Sequence, residues 1–282
     1  MNNETTLITG ASSGIGLELA REFARRGHPL ILIAPVDSEL ETVAENIESE
    51  FGVSVDFFAR DLTEEGAVED IVDQLDNDDI EVEILVNNAG FGQRGKFWEV
   101  PIEILVNMLR LNSEVVMRLT HAFLPKFVER GHGRILNTAS VAGFEAGPTM
   151  AVYHASKAFV LSLSEALAVE LKDTGVNLTA LCPGPVDTDF FPKAEMVETK
   201  AFQKANLMAP QEVAKAGVDA LFAGDSLIIP GAANKAMIFS RRFMTENAQA
   251  KMNEKMYEEV APEDHKREPG EIAAKYEQNR SS

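Results

Sequence analysis

Cysteine is almost absent: Cys182 is the only one in 282 residues, so no internal disulfide can form, and its apolar surroundings suit a small buried hydrophobe. No apolar run is long enough to cross a bilayer, and the opening Met1-Asn2-Asn3-Glu4 has neither the basic nor the apolar stretch of a signal peptide. We therefore expect a soluble, cytoplasmic protein. Positive charge is scarce, with 26 Lys and Arg against 45 Asp and Glu and a formal charge of −19. That balance argues against a nucleic-acid partner, which needs a concentrated basic face, and against anionic membranes. The acidic run from Asp70 to Glu83 reads as a helix end and a solvated loop. The five histidines are dispersed without metal-ligand spacing, so the expectation is catalysis without a metal.

What is present is an alternation. Strands are expected at 5–9, 30–34, 53–59, 82–87, 134–139, 176–182 and 226–229, with helices near 38–50, 63–75, 102–130 and 211–222 and around Tyr153. Such alternation predicts an α/β fold, a doubly wound, Rossmann-type parallel sheet of about seven strands with helices on both faces. Pro125 is expected to kink or end the long helix. Residues 1–231 read as one domain carrying a helical lid near 188–210, followed by a helical extension over 232–260. The charged stretch 261–282 reads as a tail without fixed structure.

Tyr153-His154-Ala155-Ser156-Lys157 lies in a helical pattern, which puts Tyr153 and Lys157 one turn apart on one face and turns His154 away from it. An ammonium a few ångströms from a phenol favours the phenolate. Lowering a tyrosine pKa of ~10 by about three units takes roughly 4 kcal/mol, and with further help from a cationic ligand the expectation is a tyrosine that trades protons near neutral pH. Alone, the pair reads first as a surface contact.

Its context is a glycine turn. Gly10-Ala11-Ser12-Ser13-Gly14-Ile15-Gly16 joins the first strand to a helix, where free N–H groups and the positive end of the helix dipole suit a pyrophosphate. Gly10 permits the turn, Gly14 the approach of phosphate and Gly16 the packing of helix on strand, while Ser12 and Ser13 add hydroxyl donors. With Asn87-Asn88-Ala89-Gly90, Asn112, Ser140, Tyr153-x-x-x-Lys157 and Pro183-Gly184 following in order, the chain resembles the short-chain dehydrogenase/reductase family over roughly Thr5 to Gly231, in its short, non-extended form.

The resemblance implies an NAD(P)-dependent oxidoreductase that interconverts a ketone or aldehyde with an alcohol. It implies that Ser140 orients the carbonyl oxygen, that Tyr153 is its general acid or base, that Lys157 tunes Tyr153 and holds the nicotinamide ribose, and that Asn112 steadies a relay water. Ile15, Asp61, Leu62, Asn88, Ala89, Gly90, Pro183, Gly184, Val186 and Thr188 are implied to border the cofactor together with the glycine turn. Ser140 and Asp61 are equally suited to capping, and Asn112 to bonding backbone. A homodimer or homotetramer is also implied.

Cofactor choice is expected at the end of the second strand, where an acid selects NAD and an arginine NADP. Ala34, Pro35 and Val36 supply neither charge, Ser13 adds no basic residue, and Asp37 is equally a helix cap. Room at Ala34 tips the expectation from NAD to NADP. Phe91, Arg94, Phe97, Trp98, Phe144, Phe190, Phe191 and Met196 fall in loops at the ligand-binding edge, which suits an apolar substrate. The competing reading is a non-catalytic nucleotide sensor or scaffold that engages a partner through 232–257.

Overall fold

The computed structural model describes residues 4–281; Met1–Asn3, read above for the want of a leader, and Ser282 lie outside it. The strands are β1 (Thr6–Thr9), β2 (Leu30–Ala34), β3 (Val55–Ala59), β4 (Ile84–Asn87), β5 (Gly133–Thr138), β6 (Val176–Leu181) and β7 (Leu227–Ile228). They form one parallel sheet in the order β3-β2-β1-β4-β5-β6-β7. The helices are α1 (Gly14–Arg25), α2 (Asp37–Phe51), α3 (Ala67–Asn77), α4 (Ile102–Leu109), α5 (Val115–Glu129) and α6 (Ala151–Glu170). Short α7 (Phe190–Lys193) and α8 (Lys200–Gln203) precede α9 (Pro210–Ala223), α10 (Ala232–Ser240), α11 (Glu246–Met256) and α12 (Glu271–Ser281).

Side chains alternate across a strand, and β2 (LILIA) is apolar at every step because both faces are covered. Ile8, Leu30, Leu32, Val86 and Leu136 meet the α1, α2 and α9 side, with Leu19, Phe23, Ile47 and Val213 packed on them. Leu7, Ile31, Ile33, Leu85 and Ile135 point the other way, onto Ile71 and Leu75 of α3 and Leu119, Phe123 and Phe127 of α5. The order reverses between β1 and β4, so Gly10 and Asn88 flank a crevice at the carboxyl edge, the place where open α/β sheets bind ligands.

The helical region expected over 102–130 is present from Ile102 to Glu129, with a π turn at Arg110–Glu114 in which Asn112 and Ser113 are buried. Of the two effects expected of Pro125, ending the helix is not seen: a proline removes one N–H, and buried Phe127 beyond it keeps the last turn packed, so α5 runs to Glu129. The tail is not free of structure. The buried carboxylate of Asp187, in the loop after β6, accepts hydrogen bonds from the backbone N–H groups of Gly270 (2.9 Å), Ile272 (2.8 Å) and Ala273 (3.3 Å) and so caps α12 from a distance. Gln203 Oε1 likewise accepts from the N–H groups of Lys266 and Arg267. These long-range caps leave no trace in the local pattern of a charged segment.

Candidate active site

Six strand ends converge on a cleft of about 470 Å³. The end of β1 is stapled to that of β4 by Thr9, whose Oγ1 accepts from the backbone N–H groups of Asn88 and Ala89, both at 3.0 Å. Asn88 returns the contact by donating Nδ2 to the carbonyls of Thr9 and Gly10. A Cβ on Gly16 would lie 2.0 Å from the Gly10 carbonyl oxygen, so only glycine lets α1 sit this close to the strand it follows. Gly10 is held at φ +65°, where a Cβ would press on Ala89 at 2.9 Å. Ser13 precedes α1 in extended backbone without capping it through its side chain, which leaves the N–H groups of the first turn for a ligand. Every expected cofactor-side residue lines the cleft: Gly10, Ser12, Ser13, Gly14, Ile15, Gly16, Asp61, Leu62, Asn88, Ala89, Gly90, Tyr153, Lys157, Pro183, Gly184, Val186 and Thr188. An uncapped helix start behind three glycines fits a dinucleotide phosphate.

Ser140 follows β5 and opens the 3-10 turn Val141–Phe144, accepting at Oγ from Ala142 N at 3.1 Å, so it is a cap and a cleft residue at once. Tyr153 and Lys157 lie one turn apart on α6 and both face the cleft. Lys157, almost fully buried, donates from Nζ to the Thr138 carbonyl at 2.8 Å, and its nitrogen is 6.0 Å from the Tyr153 ring centre.

Burial sets the sign of both pKa shifts. Burial pushes the Tyr153 phenol up to about 12, opposed by a hydrogen bond with the Ser140 hydroxyl. Burial also brings the Lys157 ammonium down to about 8. Desolvation penalises the charged form of each group, and it is the largest cause of both shifts. The protein's own groups therefore favour the protonated phenol of Tyr153.

Asn112 stands behind the cleft. Its Oδ1 accepts from Phe91 N at 3.0 Å, and its Nδ2 donates to Phe91 O at 2.9 Å and Ser156 Oγ at 3.1 Å, so the π turn aims an amide that braces the strand-end loop beside Lys157. Asp61 Oδ1 accepts from the N–H and hydroxyl of Thr63, a local turn, since α3 begins only at Ala67. Asp37 lies in the first turn of α2, neither capping it nor lining the cleft.

On the substrate side, Phe91, Phe190, Phe191 and Met196 line the cleft, and the Phe190 ring lies 5.2 Å from that of Tyr153. Phe97 and Trp98 do not: they stand 60% and 78% exposed. Phe144 packs into a core cluster with Val160 and Cys182 instead, and burial lifts the Cys182 thiol to about 12, as expected of an inert one. Arg94 reaches away to the carbonyls of Glu195 and Tyr257 and to the Glu259 carboxylate.

Residues that sequence reasoning missed include Arg60, which reaches the cleft because Ala59 pairs with Ala34 across β3 and β2 and Arg60 N donates to Ala34 O at 2.9 Å. The signal was the basic residue following the third strand. Tyr257, after α11, also lines the cleft, about a hundred residues beyond the tyrosine–lysine pair, and nothing local announces it. His154 turns from the cleft as expected, but into a buried contact with Tyr257.

The family model for short chain dehydrogenase matches residues 4–198. An uncharacterized oxidoreductase of Staphylococcus saprophyticus is 32% identical over 221 residues, 78% of this chain and 92% of that protein. Among solved structures, a short-chain dehydrogenase from Sphingobium yanoikuyae in complex with NADPH superposes with a TM-score of 0.76 at 34% identity, covering 86% of this chain and 94% of that one. A bulky-bulky ketone specific alcohol dehydrogenase from Comamonas testosteroni gives 0.73 at 31%, covering 86% and 93%.

Proposed function

The chain belongs to the short-chain dehydrogenase family and is an oxidoreductase, and from that premise we propose that it reduces an apolar ketone with NADPH, Tyr153 delivering the proton. The observation that carries this reading is a buried phenol beside Ser140 and Lys157 in the cleft that the glycine turn opens. A bound nicotinamide supplies the hydride. Ser140 holds the carbonyl oxygen by a hydrogen bond, and Tyr153 donates its proton to that oxygen as negative charge develops there. Lys157 keeps a positive charge beneath the phenolate that remains, and Asn112 fixes the Phe91 loop that borders both. The apolar wall of Met150, Phe190, Phe191 and Met196 excludes water and selects a hydrophobic substrate.

NADPH is favoured over NADH because no carboxylate stands at Ala34 and Arg60 lines the same end of the cleft. Steady-state assays with both nucleotides and a panel of cyclic and aryl ketones test the proposal. Arg60→Ala is expected to raise the KM for NADPH roughly tenfold or more, the usual weight of a charge-assisted contact to phosphate, with little change for NADH. An equal change with both nucleotides would refute the Arg60 assignment, and no turnover of any ketone would refute the function. The extension that the scaffold reading invokes is tied to this chain itself, since Asn253 donates to the Ala146 carbonyl at 2.8 Å and Arg241 pairs with Glu145.

A further inference from the structure

The carboxyl-terminal extension also brings a polar side chain to the cleft wall. Tyr257 packs against the apolar cluster that holds Met150, Phe191 and Met196, and its hydroxyl lies 2.6 Å from His154 Nε2. The direction of that hydrogen bond follows from the other side of the imidazole. His154 Nδ1 lies 2.9 Å from the Glu145 carbonyl oxygen, which can only accept, so Nδ1 carries the proton. Burial drives the His154 pKa down to about 4, so the ring is neutral and Nε2 is a bare acceptor. Tyr257 O–H is thereby committed to His154, and the phenolic oxygen offers the cleft lone pairs only. Its phenol also stands near enough to Tyr153 that a charge there would raise it.

We propose that Tyr257 is a specificity-determining residue whose oxygen, locked as an acceptor by His154, selects ketones that carry a second, hydrogen-bond-donating hydroxyl on an apolar frame. An acceptor in a cleft that Met150, Phe191 and Met196 also line loses hydration when an apolar molecule enters, and a substrate hydroxyl restores the bond. A ketone lacking the donor leaves the oxygen unpaired. The inference rests on the ketone-reductase reading and names the substrate class of that site.

The test compares kcat/KM for cyclohexanone and tetralone with their hydroxylated and methoxylated analogues, using NADPH, in wild type, Tyr257→Phe and His154→Asn. In wild type the hydroxylated ketone is expected to be preferred to both analogues. Tyr257→Phe should cut that preference about tenfold, mostly through KM, the scale of one buried neutral hydrogen bond. His154→Asn keeps a donor for the Glu145 carbonyl but removes the acceptor at Nε2, so Tyr257 is free to donate and the preference should fall likewise. An unchanged ratio in either variant, or an equal fall for all three analogues, overturns the inference while leaving ketone reduction standing. Absence of turnover in wild type overturns both.

Discussion

Tyr153→Phe is expected to lose turnover by on the order of a thousandfold while binding nucleotide as tightly as wild type. The substitution removes one oxygen from a ring that keeps its packing against Phe190, so the cleft retains its shape. What disappears is the phenol proton beside Ser140. The alternatives near at hand are poor: Cys182 is buried with its thiol held up at about 12, and Tyr257 has its proton engaged by His154. Stopped-flow reduction of tetralone beside a fluorescence titration with NADPH separates the two effects. A thousandfold loss with unchanged binding is the result expected of a proton donor, and near-normal turnover would exclude Tyr153 from that role.

Lys157→Met should abolish useful turnover and yet stabilise the fold. The ammonium is buried with one hydrogen bond, to the Thr138 carbonyl, and its pKa falls from 10.5 to about 8. A group charged in the native state at a pKa below its unfolded value costs stability, fully so below pH 8 and not at all above 10.5, where both states are neutral. Removing it should gain on the order of 1–3 kcal/mol at neutral pH, the shift discounted for the Thr138 carbonyl left unpaired, and the gain should shrink as pH rises through that window. Thermal melts of wild type and variant at neutral and strongly alkaline pH measure it. A variant that melts lower than wild type at neutral pH would show that Lys157 is a structural cation and not one held at a cost for chemistry.

The sheet and its cleft were legible because two signals are local. Apolar strands such as Leu30–Ala34 alternate with amphipathic helices, and glycine spacing at Gly10, Gly14 and Gly16 answers to steric facts that hold within a single turn. The rest depends on distant partners. Arg60 reaches the cleft only through the register of β3 on β2, α12 forms under a carboxylate more than eighty residues away, and Tyr257 meets His154 across 103 residues. The sign of the Tyr153 shift was also beyond the local pattern, since a cation one turn away is visible in the sequence while the depth of burial that opposes it is a property of the whole fold.

The pH dependence of ketone reduction tests the proton donor most directly. With Tyr153 protonated up to about pH 12 and the Lys157 ammonium retained up to about pH 8, kcat for reduction should be level through neutral pH and fall above about 8, while oxidation of the product alcohol, which needs the phenolate, should rise with pH. Reduction that instead climbs steadily from neutral into alkaline pH would contradict a buried phenol as the source of the proton.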